Sequence, residues 1–343
     1  MEFELTRDWN NYLNLFPKDK FDVYSSPQYV RLYETENDEA ICFVCRSEIK
    51  VLIFPFLRRE FNFNGKRYFD FETAYGYGGP ISNTDDIVFI QRALQLFNNY
   101  CTNNDYVCGF IRFNPLLGNS KHFESIGQVL LDRKTVGIDL TKSEDEIWMN
   151  SIVGKNRSSI KKSISRGLTF EADYSFTYLE DFINLYNDTM NKLNAHDFYL
   201  FNNNYYKNWI SNISNSFLGV VKFENKVISA AIFFFSNHFG HYHLAGSDPH
   251  FLKLNPNNFM LWEAAKELKR NNVKLFHLGG GSDGDSSNSL LSFKSRFSPL
   301  RYDFNIGRLV FNPNLYEQIC NQWEEINAEK AVIFKNYLLK YKY

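Results

Sequence analysis

Between residues 217 and 281 the chain carries three short apolar β-runs in succession, then a helix, another strand and three glycines. The runs cover 217–224, 227–235 and 239–245, the helix 258–270 and the last strand 273–278. Only Glu224-Asn225-Lys226 separates the first two runs, which is short enough for a hairpin. A helix joining two strands returns the chain parallel to itself. The segment therefore predicts antiparallel strands and one β–α–β crossover in the same sheet. The fold class expected is α+β, a mixed α/β chain rather than an all-parallel sheet.

The chain is 343 residues long, which suggests about two domains. The first third alternates short elements. A helix is predicted over 26–33, with Pro27 at its first position. Strands follow at 40–46, 49–59 and 69–79, the last running into the turn YGYGGP. A helix over 85–101 begins at Asp85 and Asp86, and a strand over 106–113 stops at Pro115. The second part begins near Gly137 with the strand GIDL. Ser143 followed by Glu146 predicts a capping box, and a basic helix over 155–166 ends at Gly167. Amphipathic helices are predicted over 179–193 and 205–213, and one or two helices over 315–343.

Lys and Arg number 38 against 39 Asp and Glu, a formal net charge of −1. That balance excludes a polycation that coats nucleic acid and an acidic disordered tail. The N-terminus has no basic and apolar leader pattern. The most apolar stretch, 227–235, is far short of the roughly 20 residues needed to span a bilayer. Five scattered cysteines fit reduced, buried thiols. The expected location is cytoplasmic, with membrane contact at most peripheral. Cys42 and Cys45 form a C-x-x-C, but on a strand, where positions three apart face opposite ways. Aromatic residues make up 17% of the chain, a load that fits either codon bias or cleft lining.

Three segments carry candidate chemistry. GKNRSSIKKSISRG places Lys155, Arg157, Lys161, Lys162 and Arg166 on one helix, with Lys155, Lys162 and Arg166 roughly on one face. Such a helix grips phosphates or is a solvated face. In HYHLAGSDPHFLKLNPNNFM a strand, a loop and a helix follow one another, with Asn257 or Asn258 as the expected cap. A helix start there offers N–H groups to an anion, yet the glycine pattern that wraps a CoA pyrophosphate is missing. The third segment is LGGGSDGDSSNSLLSFKSRF. Glycines after a strand allow close backbone approach, and Lys294 beside them either neutralises an oxyanion or snorkels on a surface helix. Asp283 and Asp285 lack the spacing and closing Glu of a calcium loop. His241 and His243 alternate on a strand and share a face, with no third metal ligand in view. No metal site is expected.

Taken together these segments resemble the FemX/FemAB family of non-ribosomal peptidyl transferases. YHLAGSDP, the Trp-containing helix, LFHLGGG and LLSFKSRF occur in family order, and KNRSSIKKSISRG resembles the family's basic helix. AYGYGGP, which contains Tyr75, and IRFNP resemble landmarks of its first domain. The resemblance implies two GNAT-like (acyl-CoA N-acyltransferase-like) domains with mixed, mainly antiparallel sheets. They are expected over 1–138, completed by helices in 312–343, and over 139–311. It also implies an acyltransferase that moves an amino acid from aminoacyl-tRNA to an amine of a peptidoglycan or polysaccharide precursor, sugar-nucleotide or lipid-linked. Lys294 falls on the lysine that stabilises the tetrahedral oxyanion, with Phe293 as its partner. Arg31 matches a cation for sugar-nucleotide phosphates, and Tyr242 a tyrosine near the acceptor.

Two positions depart from the family pattern. Asn114 stands where relatives carry an Asp, and an amide cannot accept the amine's proton. The aromatic stretch with Phe198, Tyr199 and Phe201 stands where relatives place an arginine, so Tyr199 and Phe201 become candidates for stacking on a base, sugar or lipid. The general base is left open among His241, His243, Glu72 and the donor itself. No tightly bound cofactor is expected, only a co-substrate, aminoacyl-tRNA or alternatively acyl-CoA. The remaining alternative is a glycan-precursor-binding protein that keeps the fold without catalysis.

Overall fold

The computed structural model describes residues 1–194, 200–285 and 287–343. The chain divides into two compact units, one made of Met1–Asp132 with Phe304–Tyr343, the other of Arg133–Asp303. Both cuts fall inside strands, Gln128–Asp139 and Arg301–Val310. Strand interiors carry no turn or linker chemistry, so nothing in the residues marks a boundary there. The sequence expectation set the divisions at 138/139 and 311/312 instead.

In the first unit the strand order is Glu2–Thr6, Asp38–Ser47, Lys50–Phe63, Lys66–Glu72, Tyr106–Arg112 and the strand ending at Val310. All neighbours are antiparallel except Lys66–Glu72 and Tyr106–Arg112, which run parallel. The crossover between those two contains the helix Ile87–Asn103. Asp86 caps it, accepting from the N–H groups of Val88 and Phe89, two of the donors a helix start leaves without partners. Phe43, Phe54, Phe56, Phe71 and Phe97 fill the space between helix and sheet. The Phe54 ring lies 4.7 Å from that of Phe97, and the Phe56 ring 4.7 Å from that of Phe71. Much of the aromatic load is therefore core. All five cysteines are buried and free, and Cys42 and Cys45 sit inside Asp38–Ser47 as the strand reading requires.

The second unit repeats the plan. Thr169–Asp173, Ser216–Phe223, Lys226–Phe235 and Phe239–Ser247 are antiparallel neighbours. Glu224 and Asn225 both have positive φ, 49° and 65°, the backbone of a tight hairpin turn whose twist matches the strands. The helix Pro256–Arg270 crosses over to Leu275–Gly280, which lies parallel to Phe239–Ser247. Residues 135–139 of Gln128–Asp139 close the sheet antiparallel to Leu275–Gly280. The strand begins at Gln128 and the second unit at Arg133, both earlier than the expected start near Gly137. Ile160, Phe217, Phe233, Phe259, Trp262, Phe276 and Phe297 are core. The capping box forms as expected, Ser143 accepting from Glu146 N–H while Glu146 accepts from Ser143 N–H.

Candidate functional site

In the second unit the parallel pair is registered only from Phe239–Leu275 to His241–His277. The strands then run on to Ser247 and Gly280, each still paired to its other neighbour but no longer to the other, so they splay apart. A bulge sits beside the opening: Phe233 pairs with Tyr242 and Ala231 with Ala245, so His243 and Leu244 together oppose Ile232. Tyr242 is at this opening, its ring 5.7 Å from that of Phe233.

Lys294 reaches the same place from the helix Ser289–Ser295. Asn288 caps that helix, accepting from Leu290 and Leu291 N–H. Lys294 is 7% exposed, which removes the snorkelling reading. Its Nζ donates to the Gly280 carbonyl at 2.8 Å and lies 5.8 Å from the centre of the Tyr242 ring. Burial, and after it the charge of Arg133, pulls its pKa from 10.5 down to about 7. Phe293 is half-buried against the core and packs on Phe297.

The glycines explain how the lysine meets backbone. Gly279 has φ +75°, and a Cβ at Gly280 would stand 2.9 Å from the Lys134 carbonyl. At Gly281 it would stand 2.6 Å from Asn288 Oδ1. Larger residues would push the loop off the neighbouring strand and off the helix cap. Arg133 Nη1 donates to the Gly281 carbonyl at 2.9 Å. Nothing in the run LDRKT signalled Arg133 as a site residue.

His241 and His277 lie side by side with ring centroids 5.5 Å apart, and His243 meets the Tyr205 hydroxyl at 3.1 Å. Burial, then His241, holds the pKa of His243 near 3, and the same causes hold His277 well below its ordinary value. His243 is thus neutral at physiological pH. Among the described residues no group of three His, Cys, Asp or Glu is arranged to hold a metal ion.

The basic helix covers Gly154–Ser165, and its five cations do not form one uniform face. Arg157 turns inward to the carbonyls of Trp148, Met149 and Ile152, closing the turn before the helix. Arg166 donates to the Lys253 carbonyl at 2.9 Å. Lys155, Lys161 and Lys162 are exposed. The start of Pro256–Arg270 differs from the expected cap: Asn255 stands there in the left-handed region, φ 56°, with Pro256 as first residue. Asn257 accepts from Ser229 and Ser247, and Asn258 donates to the buried Asn156. Phe201 stacks on Tyr205 at 4.3 Å, so its ring already has an aromatic partner. Phe198 and Tyr199 lie outside the described residues.

In the first unit the turn Tyr75–Gly79 gathers the other candidates. The Tyr75 carbonyl accepts from the Tyr29 hydroxyl at 2.8 Å, and the Tyr75 ring lies 6.2 Å from that of Tyr33. A Cβ on Gly76, φ +88°, would strike the Tyr24 ring. Arg31 follows Tyr29 on the same turn of chain, exposed, and donates to the Arg7 carbonyl. Asn114 N–H donates to the Gly78 carbonyl. Its side chain is buried and donates to Asp22 at 2.8 Å, while Asn114 Oδ1 accepts from Leu116 N–H. It ties two loops together. Glu72 is no base: Arg112 at 3.0 Å and Lys342 at 2.7 Å hold both its oxygens.

A model of the Acetyltransferase (GNAT) domain family matches residues 154–294. The match opens on the first residue of the basic helix and ends on Lys294. Among solved structures, FemX is similar over 92% of this chain and 99% of its own, at 14% identity and TM-score 0.72. This chain has a FemX-like GNAT fold. A tandem GNAT protein from the clavulanic acid biosynthesis pathway is similar over 91% of this chain and 99% of its own, at 7% identity and TM-score 0.50. No curated protein matches in sequence. The expectation of an acyltransferase with GNAT-like, mainly antiparallel sheets agrees with these findings. Among the described residues no helix is long and apolar enough to cross a membrane.

Proposed function

We propose that this FemX-like protein forms an amide on an amine of a cell-envelope glycan precursor, with aminoacyl-tRNA as donor. The observation that carries the reading is Lys294, a buried cation-forming group at the opening of a splayed parallel pair beside a glycine loop. The acceptor amine attacks the acyl carbonyl, a C–N bond forms, and the carbonyl oxygen becomes an oxyanion. The ammonium form of Lys294 offsets that charge where water is excluded. Collapse breaks the ester C–O bond, and the proton shed by the amine ends on the departing ribose oxygen. Phe293 shields the lysine from solvent, and Tyr242 lines the opening. Arg31 and the tyrosines around Tyr75 are assigned to the acceptor, and Lys155, Lys161 and Lys162 to phosphates of the donor.

The acetyltransferase family match favours a second reading, an acyl-thioester donor such as acyl-CoA. Against it stands the start of Pro256–Arg270. Pro256 removes one N–H from the helix end that would meet a pyrophosphate. Ser163 from the basic helix also donates to the Leu254 carbonyl, so that helix packs over the preceding loop. Parallel transfer reactions with charged tRNA and with acyl-CoA, read by mass spectrometry of the amide product, separate the two. Product from acyl-CoA alone would overturn the tRNA reading.

A further inference from the structure

Lys294 and Arg133 approach one short loop from two different elements. Lys294 comes from Ser289–Ser295 and donates to the Gly280 carbonyl; Arg133 comes from Gln128–Asp139 and donates to the Gly281 carbonyl. The two acceptors are consecutive peptides. Gly280 has no room for a side chain on the Arg133 side, where a Cβ would lie 3.0 Å from Arg133 Cδ. The arginine stem is thus the wall against which the loop rests. Two basic side chains thus meet consecutive carbonyls, and the charge of Arg133 acts on Lys294, an arrangement with an electrostatic cost that suits a place where negative charge develops.

We propose that Arg133 is a positioning residue for Lys294, acting through the two consecutive glycine carbonyls and through its own positive charge. The peptide link fixes where Nζ sits. The charge disfavours the lysine proton in the resting site, so that it is held firmly only once an oxyanion is present. Burial is the larger cause of this bias, and Arg133 is the charge that adds to it. Tyr242 faces it from Phe239–Ser247 with its pKa raised, and His277 from Leu275–Gly280 with its pKa lowered, so both are neutral near pH 7. Asp283 on the loop acts on Arg133 in turn.

The catalytic consequence rests on the acyl-transfer reading, but the test does not require a substrate. The intact chain is labelled competitively with acetic anhydride across pH 5–10, and the extent at Lys294 is read by peptide mass spectrometry. The wild-type midpoint is expected near 7. Arg133→Gln should raise it by about one pH unit, because a repelling charge is gone, and Arg133→Lys should leave it close to wild type. Asp283→Asn, an exposed loop change, should lower it by removing a carboxylate that offsets the charge of Arg133, which keeps the inference testable if Arg133→Gln does not fold. Lys134→Gln, beside Arg133 but paired with Asp303, is the control and should leave the midpoint in place. A Lys294 midpoint unmoved in folded Arg133→Gln overturns the inference; so does one unmoved in Asp283→Asn, or a Lys134→Gln shift as large as that of Arg133→Gln. Failure of every transfer assay with these midpoints as expected would remove the function and leave the positioning role standing.

Discussion

Replacing Lys294 with Met removes the ammonium and keeps most of the stem, and its effect on stability should depend on pH in a calculable way. The lysine loses its proton near pH 7 in the folded chain, against an ordinary value of 10.5. Between those values the unfolded chain binds more protons, so this group makes stability rise with pH. Below about pH 7 it is charged in both states and the full cost of burying the charge opposes folding. Above about 10.5 it is neutral in both and that cost is gone. The whole shift corresponds to about 5 kcal/mol at about 1.4 kcal/mol per pH unit, and about 3 kcal/mol of it is recovered between pH 6 and 9.5. The bond to the Gly280 carbonyl returns about 1 kcal/mol to the wild type. Lys294→Met should therefore be the more stable protein at pH 6, and its margin should shrink by about 3 kcal/mol at pH 9.5. Urea unfolding of both proteins at both pH values gives the number, and the double difference cancels every other titrating group. A margin that is constant, or that widens with pH, would refute a buried lysine that sheds its proton near neutrality.

Three further outcomes follow from the geometry. Burial opposes the Glu72 charge, yet Arg112 and Lys342 more than reverse this and hold its pKa near 2 instead of 4.5. That is worth about 3 kcal/mol above pH 4.5, lost as pH falls toward 2, so Glu72→Gln should flatten this limb of the acid-unfolding curve. Asn114→Asp sets a second carboxylate against buried Asp22 and should cost about 2–4 kcal/mol at pH 7, relieved on acidification; equal melting temperatures at pH 7 would count against it. Replacing Lys155, Lys161 and Lys162 together by Ala should reduce the salt dependence of tRNA binding by about two units of log–log slope, whereas Arg157, turned to carbonyls, should affect stability instead.

Much of the fold was legible because local chemistry and hydrophobic period agreed. The Glu224-Asn225 turn, the Ser143–Glu146 capping box and Asp86 each formed where the residues indicated. The splay, which gives Lys294 its surroundings, was not legible. It depends on where two strands cease to pair, which no residue type marks. Arg133 was invisible because a lone arginine on a strand has many uses, and only the glycine carbonyl it meets defines this one. The helix start at Pro256 was misplaced because Asn257 and Asn258 are good caps in isolation, and tertiary partners took both side chains. Arg157 looked like a phosphate ligand until the carbonyls it closes came into view. The shared plan of the two units lies in strand order and crossover, which are carried by different residues in each and leave no repeat in the sequence.

The central claim is that Lys294 stabilises the charge that forms during acyl transfer. The direct test is single-turnover transfer from bulk aminoacyl-tRNA to UDP-linked cell-wall precursors, comparing wild type with Lys294→Met and following the amide product by mass spectrometry. The account predicts product formation slowed by about 100-fold or more in the variant, with acceptor binding retained. Equal single-turnover rates in the two proteins would contradict it.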